Sequence, residues 1–364
     1  MTEHKTHKMH HDNTNQLEAV PQTVLEAVPG STAADWHRHS QGGGWVYREA
    51  RVAPTAFVDK EAVVADRAEV LDSASVRGHA RIGGQARVAG HAEVFGHAVV
   101  EERAEVRDNA RVGGEARVAG AACVRDHAIV EGAAAIEGYA EVRGKAHIAG
   151  KARVTDHARC GDNARVAGRA AVYGHAMVYG DARVAGRAWI GQDAEVFGHA
   201  AVDGAAVITD YAKVFGNAQV LGHARIAVGA FVAGHARVAG TAEVSGDTWV
   251  GGNARVLDNA WVGGNAVVNG SAQVFGCAKV HGNAVVAGNA EVCGAAEVLD
   301  SAKVCEDAVV AGNAEVCGRA RVFGAAMVFG DAWVAGDARV GGTDRLCRRP
   351  VWAEPQSGGG SDSV

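Results

Sequence analysis

An uninterrupted six-residue repeat is the feature that most constrains the fold of this chain. At every sixth residue from Val46 to Val340 the sequence has Val or Ile, with the single exception of Cys160. Two residues before each of these from Val52 onward, at positions 50–338, it has Ala, with the single exception of Thr248. Because side chains alternate along a strand, the Ala and Val of each AxVx unit point to one side and the residues between them point to water.

The two remaining residues of each hexad must turn the chain. Gly or Asp fills the first of these corner positions in most hexads, as in Gly90, Gly96, Asp108 and Asp126. Gly adopts positive φ without steric cost, and Asp tolerates it better than most residues. Three strands and three corners make one triangular coil, so each coil takes three hexads. The sequence therefore predicts an all-β parallel solenoid of about 16 coils, a rod roughly 80 Å long at about 4.8 Å per coil.

Composition agrees with this prediction and excludes other classes. Of 364 residues, 49 are Gly and only 5 are Pro, so the chain is not collagen-like. The 48% hydrophobic content argues against disorder, and an apolar spacing of two and then four residues does not make a helical stripe. A net charge of −6 argues against nucleic-acid binding and against a basic membrane anchor.

The amino-terminal residues and the cysteines indicate a cytoplasmic protein. The chain begins MTEHKTHKMHHDNTNQ, which is polar throughout and unlike a secretory signal, and no apolar run is long enough to span a membrane. The seven cysteines form no CxxC pair or short disulfide framework, and Cys293, Cys305 and Cys317 follow one another at intervals of two hexads. At that spacing they fall on different sides of a three-hexad coil, so we expect reduced thiols.

The repeat resembles the hexapeptide repeat of left-handed parallel β-helices, a fold found in many bacterial acyltransferases. Stretches such as VAGHAEVFGHA and VFGDAWVAGDARVGG are most similar to uninterrupted rods in uncharacterised bacterial and phage proteins of the YdcK type, which are grouped with acetyltransferases. The resemblance covers positions 46–340. It implies a single-stranded left-handed β-helix, and it is much more specific for fold than for chemistry.

Three segments are predicted. Residues 1–45 form a polar N-terminal segment and cap, with His4, His7, His10 and His11 at its start and with Trp36 and Trp45 placed to cover the open end of the first coil. Residues 46–341 form the β-helix. Residues 342–364 form a C-terminal cap, in which Val351 or Trp352 folds over the last coil, and a disordered tail.

The resemblance also implies where chemistry would lie. Hexapeptide acyltransferases bind CoA in grooves between the rods of a trimer and use a histidine as the general base. This chain lacks the insertions between coils that usually help to form the acceptor site. Nine histidines of the rod occupy corner positions, where their role is expected to be structural, whereas His147 lies on a strand and points outward beside Arg165 and Arg183. His147 is thus the candidate catalytic base, with acetyl-CoA as the cofactor of that alternative.

No metal site is predicted. Corner histidines separated by three hexads, His79 with His97 and His157 with His175, should stack in adjacent coils, but neither pair has a third ligand beside it. The histidines near the N-terminus could bind metal adventitiously.

Apolar side chains that point outward suggest an interface. They step along one side of the rod over successive coils, where a monomer would expose them to solvent. Stacking down the rod would explain them structurally; an apolar strip on which a partner or a sister subunit packs is the alternative. The predicted interface residues are Met177, Tyr179, Phe197, Phe215, Phe231 and Trp249.

These observations favour a non-catalytic scaffold, or a binding or self-association module, that acts as a homo-oligomer, with a trimer as one option, or with a protein partner. The first alternative is a trimeric acyltransferase that uses acetyl-CoA. The second is a filament-forming structural protein, which requires an open end coil.

Overall fold

The computed structural model describes residues 19–348 and 350–353, and within them it consists almost entirely of very short β-strands. The helices are α1 (Gln22–Leu25) and a 3-10 turn (Ala33–Asp35), and the first strands are β1 (Trp36–Arg38) and β2 (Trp45–Tyr47). Strands β3 to β52 then begin every six residues, from Arg51–Val52 to Arg345–Leu346; each has two residues except β50 (Trp333–Gly336), and β53 is Pro350–Ala353. No helix in the described part of the chain is long and apolar enough to cross a membrane.

From β2 to β50 each strand pairs in parallel with the third strand after it, as β10 does through Glu93 and Arg111. Every third strand therefore belongs to the same ladder, and the three ladders form the three faces of a rod. Face 1 contains β2 and every third strand after it, ending at β53. Face 2 runs from β3 to β51 and face 3 from β4 to β52. The predicted fold class, an all-β parallel solenoid with three hexads per coil, is confirmed.

The core is one continuous column of Ala, Val and Ile side chains. From Ala56 to Val334 these inward residues are buried, almost all of them completely. The largest fully buried side chains are the six isoleucines, and no aromatic ring lies in this column. The interior of the triangle is thus filled by small aliphatic groups, so rings are confined to the outside.

The corners have the backbone conformation that the sequence predicts. Gly90 and Asp126 have φ values of 72° and 63°. An Asp at a corner also satisfies a backbone donor of the next coil, as when Gly144 donates its N–H to the carboxylate of Asp126 at 2.9 Å. Val228 occupies a corner with the same conformation, but its φ of 57° is unfavourable for a β-branched residue.

The N-terminal segment covers two of the three faces at the first coil. Strand β1 pairs antiparallel with β2 at the edge of face 1. At the edge of face 3, Gly44 donates its N–H to the carbonyl of Val58 at 2.9 Å, and the ring of His39 lies 3.0 Å from the carbonyl oxygen of Ala56. The first coil is therefore closed to strand pairing on these two faces.

Trp36 and Trp45 do not cover the open end of the first coil as we expected. Both rings are buried against the outer side of face 1, in a small cluster with Val24, Tyr47 and Val63. The alternation of side chains explains this difference, because Trp45 precedes the inward Val46 and must point outward.

At the C-terminus the solenoid pairing continues beyond residue 341, where we placed the boundary of the cap. Strand β52 extends face 3 and β53 extends face 1. Val351 pairs with Val334 and packs against the core. The side chain of Trp352, the histidines at positions 4, 7, 10 and 11 and the tail predicted to be disordered lie outside the described residues.

Candidate functional site

The six residues of the predicted interface all lie on face 2 or at the corner that follows it. Three point outward from the strands of face 2. The other three occupy the first residue after a strand, two positions beyond its outward residue. The strand residues are Met177, Phe231 and Trp249, and the corner residues are Tyr179, Phe197 and Phe215. The structure thus places them on one side of the rod.

The corner rings form a stacked ladder. The ring centroids of Tyr179 and Phe197 are 4.9 Å apart and those of Phe197 and Phe215 are 5.0 Å apart, with the planes within 1° of parallel. Trp249 joins this ladder to the strands of face 2, since its ring lies 6.1 Å from that of Phe215 and 5.9 Å from that of Phe231. Five aromatic rings therefore form one connected surface over five successive coils.

These side chains are less exposed than the sequence led us to expect. Trp249 is 38% exposed, whereas the other five predicted interface residues are half-buried. Parallel strands place equivalent residues about 4.8 Å apart, close to the thickness of stacked rings, so each ring covers much of its neighbour. What remains accessible is mainly the edge of the ladder.

A polar network holds the ladder against face 2. The hydroxyl of Tyr179 donates to Oε2 of Glu195 at 2.9 Å, and Nζ of Lys213 lies 2.8 Å from Oε1 of the same carboxylate. Burial and the hydrogen bond to Glu195 raise the pKa of Tyr179 to about 12. Burial acts to raise the pKa of Glu195, but the bonds from Lys213 and Tyr179 outweigh it and leave that pKa lowered. At neutral pH the surface thus carries one carboxylate and one ammonium side by side.

A groove of about 490 Å³ runs beside the ladder on the same face. Its floor includes the face 2 residues Arg159 and Met177, and its wall is formed by corner residues that include His157, His175 and Tyr211. The rings of His157 and His175 stack at 4.9 Å, as the sequence predicts, and Tyr211 is 67% exposed. Face 2 therefore combines the aromatic ladder along its edge with a shallow polar groove.

His147 lies on face 3, far from these features around the triangle. It is half-buried on β19 and pairs in register with Arg165, which pairs with Arg183, as expected. Its Nε2 atom is 2.7 Å from Oε1 of Glu131. The same contact, between residues of adjacent coils, recurs at His281 with Glu297, also at 2.7 Å. The repeat itself generates this pair, so the geometry does not distinguish His147 as a catalytic base.

The histidines at the corners of the repeat and the cysteines lie where the repeat places them. His79 and His97 stack at 4.8 Å, and Nε2 of His79 is 3.1 Å from Glu61. Among the described residues no group of three or more His, Cys, Asp or Glu side chains could hold a metal ion. All seven cysteines are free, and burial raises the pKa of the fully enclosed Cys160 thiol to about 12.

The structure also contains a pocket that the sequence analysis missed. The N-terminal segment and face 1 enclose about 470 Å³, with Trp45 and Val24 on the apolar side and with Arg81 and His79 on the polar side. The guanidinium of Arg38 lies 3.7 Å from the centre of the Trp45 ring. Nothing in the repeat indicates this pocket, because the segment that roofs it lies outside the repeat.

No protein-family model matches this chain, and no curated protein matches it. Solved structures similar to it include the putative acetyltransferase of Desulfovibrio desulfuricans G20, at 10% identity and a TM-score of 0.27 over 74% of this chain and 66% of that one. LpxA of Acinetobacter baumannii is similar at 18% identity and a TM-score of 0.17, over 57% of this chain and 66% of that one.

The UDP-N-acetylglucosamine O-acyltransferase LpxA of Moraxella catarrhalis is similar at 17% identity and a TM-score of 0.19, over 61% of this chain and 68% of that one. The chain thus spans just under two thirds of the length of the first two neighbours and slightly more of the third. At these TM-scores the likeness carries no conclusion about activity, and the fold rests on the strand pairing of this chain itself. The neighbours are acyltransferases by name, and the narrower likeness to YdcK-type proteins stays a prediction.

Proposed function

We propose that this protein is a rod-like, non-catalytic scaffold that uses face 2 to associate with a protein surface. The first such surface is that of a second copy of the same chain. The observation that carries the proposal is the connected aromatic surface from Tyr179 to Trp249. A ladder needed only to stabilise the coils could lie at any corner, but this one continues onto the strands and borders a groove of the same face.

The regularity of the rod supports a binding role over a catalytic one. From β3 to β49 the described strands follow one another without a single inserted loop. Catalytic groups need positions fixed from several directions, which loops and second elements usually provide. Flat faces without loops are suited instead to contact with another flat surface.

The double variant Phe197→Ser with Phe215→Ser tests the proposal. Removal of both central rings should take away most of the apolar contact area, so the mass measured by multi-angle light scattering should fall to that of a monomer. Phe95→Ser is the matched control, because Phe95 is a half-buried ring at the corner after face 3, outside the proposed surface. An unchanged oligomeric state in the double variant would overturn the proposal.

The competing acyltransferase function is tested by titration of the full chain with acetyl-CoA in a calorimeter. We expect no heat of binding up to millimolar concentrations, and His147→Ala should leave the titration unchanged. Saturable binding that His147→Ala weakens would favour the enzyme over the scaffold.

A further inference from the structure

We propose that two copies of the chain pair through face 2 with their rods antiparallel, around a two-fold axis that crosses face 2 midway between Glu195 and Lys213. This inference rests on the proposed function and specifies its partner and its geometry. It follows from the order of the outward residues along face 2, which the strand register fixes at one residue per coil.

An antiparallel pair brings together residues at equal distances on the two sides of the axis. Glu195 of one copy then faces Lys213 of the other. One coil further out Met177 faces Phe231, and beyond it Arg159 faces the ring of Trp249. The centre of the interface thus joins opposite charges, two apolar side chains and a cation with an aromatic ring.

In the next two coils Glu141 faces Val267 and Cys123 faces Val285, so these pairs have no charge match. Charge complementarity returns toward the ends of the rod. Further pairs along face 2 join an acid with a base, and one pair joins two like charges. The acid–base pairs are Glu105 with Lys303 and Glu69 with Arg339, and the like-charge pair is Arg87 with Arg321.

Neighbouring registers lack this match. An axis moved by half a coil toward the N-terminus places Glu195 opposite the Glu195 of the second copy. An axis moved by half a coil toward the C-terminus places Lys213 opposite itself. Like charges at the centre of an interface are costly, so the charges select one register.

The shape of face 2 agrees with that register. An antiparallel pair apposes the same edge of the two faces, so the corner ring of Phe197 faces that of Phe215. Phe231 and Trp249 of one copy lie opposite Met177 and Arg159, the residues on the floor of the groove in the other. The rings of Phe231 and Trp249 in each copy thus meet the groove of the partner.

The available area is sufficient for a stable pair. About 16 coils at about 4.8 Å give roughly 75 Å of length, and four extended residues give a width of about 13 Å. Their product, on the order of 1,000 Å² per subunit, reaches the roughly 800 Å² per partner that specific complexes bury.

Cysteine pairing tests the geometry. In a chain with Cys277→Ser and Cys347→Ser, the double variant Met177→Cys with Phe231→Cys should form a disulfide-linked dimer under mild oxidation, seen by non-reducing electrophoresis. Neither single variant should do so, because residues 177 of the two copies are about 14 Å apart in this register, as are residues 177 and 231 within one chain.

Charge exchange is the second test. Glu195→Lys alone should weaken dimerisation at least tenfold, as should Lys213→Glu alone, because each places four like charges at the axis. The combined exchange Glu195→Lys with Lys213→Glu restores both the pair within the chain and the pair between chains, so it should restore the dimer. Thermal melting of each variant checks that the rod is folded.

The outcomes separate this inference from the proposed function. A dimer in which Met177→Cys alone crosslinks efficiently would mean parallel rods or an antiparallel axis at residue 177, and it would overturn the proposed register while leaving face 2 as the interface. A dimer that the charge exchange fails to restore would also overturn it. A folded chain that is monomeric by light scattering would overturn both proposals.

Discussion

Thr248 is the one residue in the Ala column that breaks the repeat, and it carries a measurable cost. Its side chain is completely buried, and its Oγ1 atom is the only enclosed side-chain polar atom without a hydrogen-bond partner among the described residues. A buried hydroxyl that loses its bonds to water without gaining another costs about 1–3 kcal/mol. The position lies directly before Trp249, at the end of the aromatic surface.

We therefore expect Thr248→Val, which keeps the shape and removes the hydroxyl, to raise the free energy of unfolding by about 1–2 kcal/mol. Thermal and urea unfolding will measure it. Thr241→Val is the matched control: Thr241 is exposed, and its hydroxyl donates to the carbonyl of Asp258 at 3.1 Å. Its replacement should give no gain in stability. A Thr248→Val chain no more stable than the parent would show that the hydroxyl has a partner.

The short strand is the unit that the sequence predicts best. Its inward positions can carry only Ala, Val and similar side chains because three strands share one narrow interior, as the burial of Ala176 and Val178 shows. A single rule therefore recovers the burial of nearly every inward residue from Ala56 to Val334.

Val178→Asp tests that rule. A carboxylate at this position would be buried without a partner in the interior, so we expect the coils around it to unfold and the melting temperature to fall by roughly 10 °C or more, the effect of several kcal/mol. Circular dichroism will follow the melting. Ala171→Asp, at an outward position one hexad earlier on face 1, should change the melting temperature little. Equal effects of the two substitutions would contradict the inward assignment of Val178.

The outward surface was less predictable, for a physical reason. The three-hexad period correctly placed the stacking of Tyr179 on Phe197 and of His157 on His175. It did not show that Tyr179 turns back over face 2 to reach Glu195, since that depends on rotamers that the repeat leaves free. The position of Trp45 and the pocket beside it depend on a segment outside the repeat, where no period constrains the packing.

At the scale of the whole molecule, the ends decide whether the rod is finite. Every coil offers both amide donors and carbonyl acceptors on each of its two edges, and a bare end coil can pair with another chain. The first coil is protected by β1 on face 1 and by His39 and Gly44 at face 3. This protection argues against the filament alternative for the N-terminal end.

Deletion of residues 1–44 should expose those edges, and we expect end-to-end assemblies whose mass in light scattering grows with protein concentration. Deletion of residues 1–18 removes no described contact of the cap and serves as the control. A chain that lacks residues 1–44 and stays as monodisperse as the parent would show that the cap is not what keeps the rod finite.

The regular coils also separate the inward positions, which pack the core, from the outward positions, which form the surface. In most folds one residue contributes to both. Because inward residues are set by the narrow interior and outward strand residues are not, a substitution at an outward strand position leaves the packing of the core almost unchanged. Outward positions of one face then follow one another at a fixed spacing of about 4.8 Å, and each can be changed without the others. Such a rod can acquire a new pattern of charges and rings one residue at a time, and it can be redesigned in the same way.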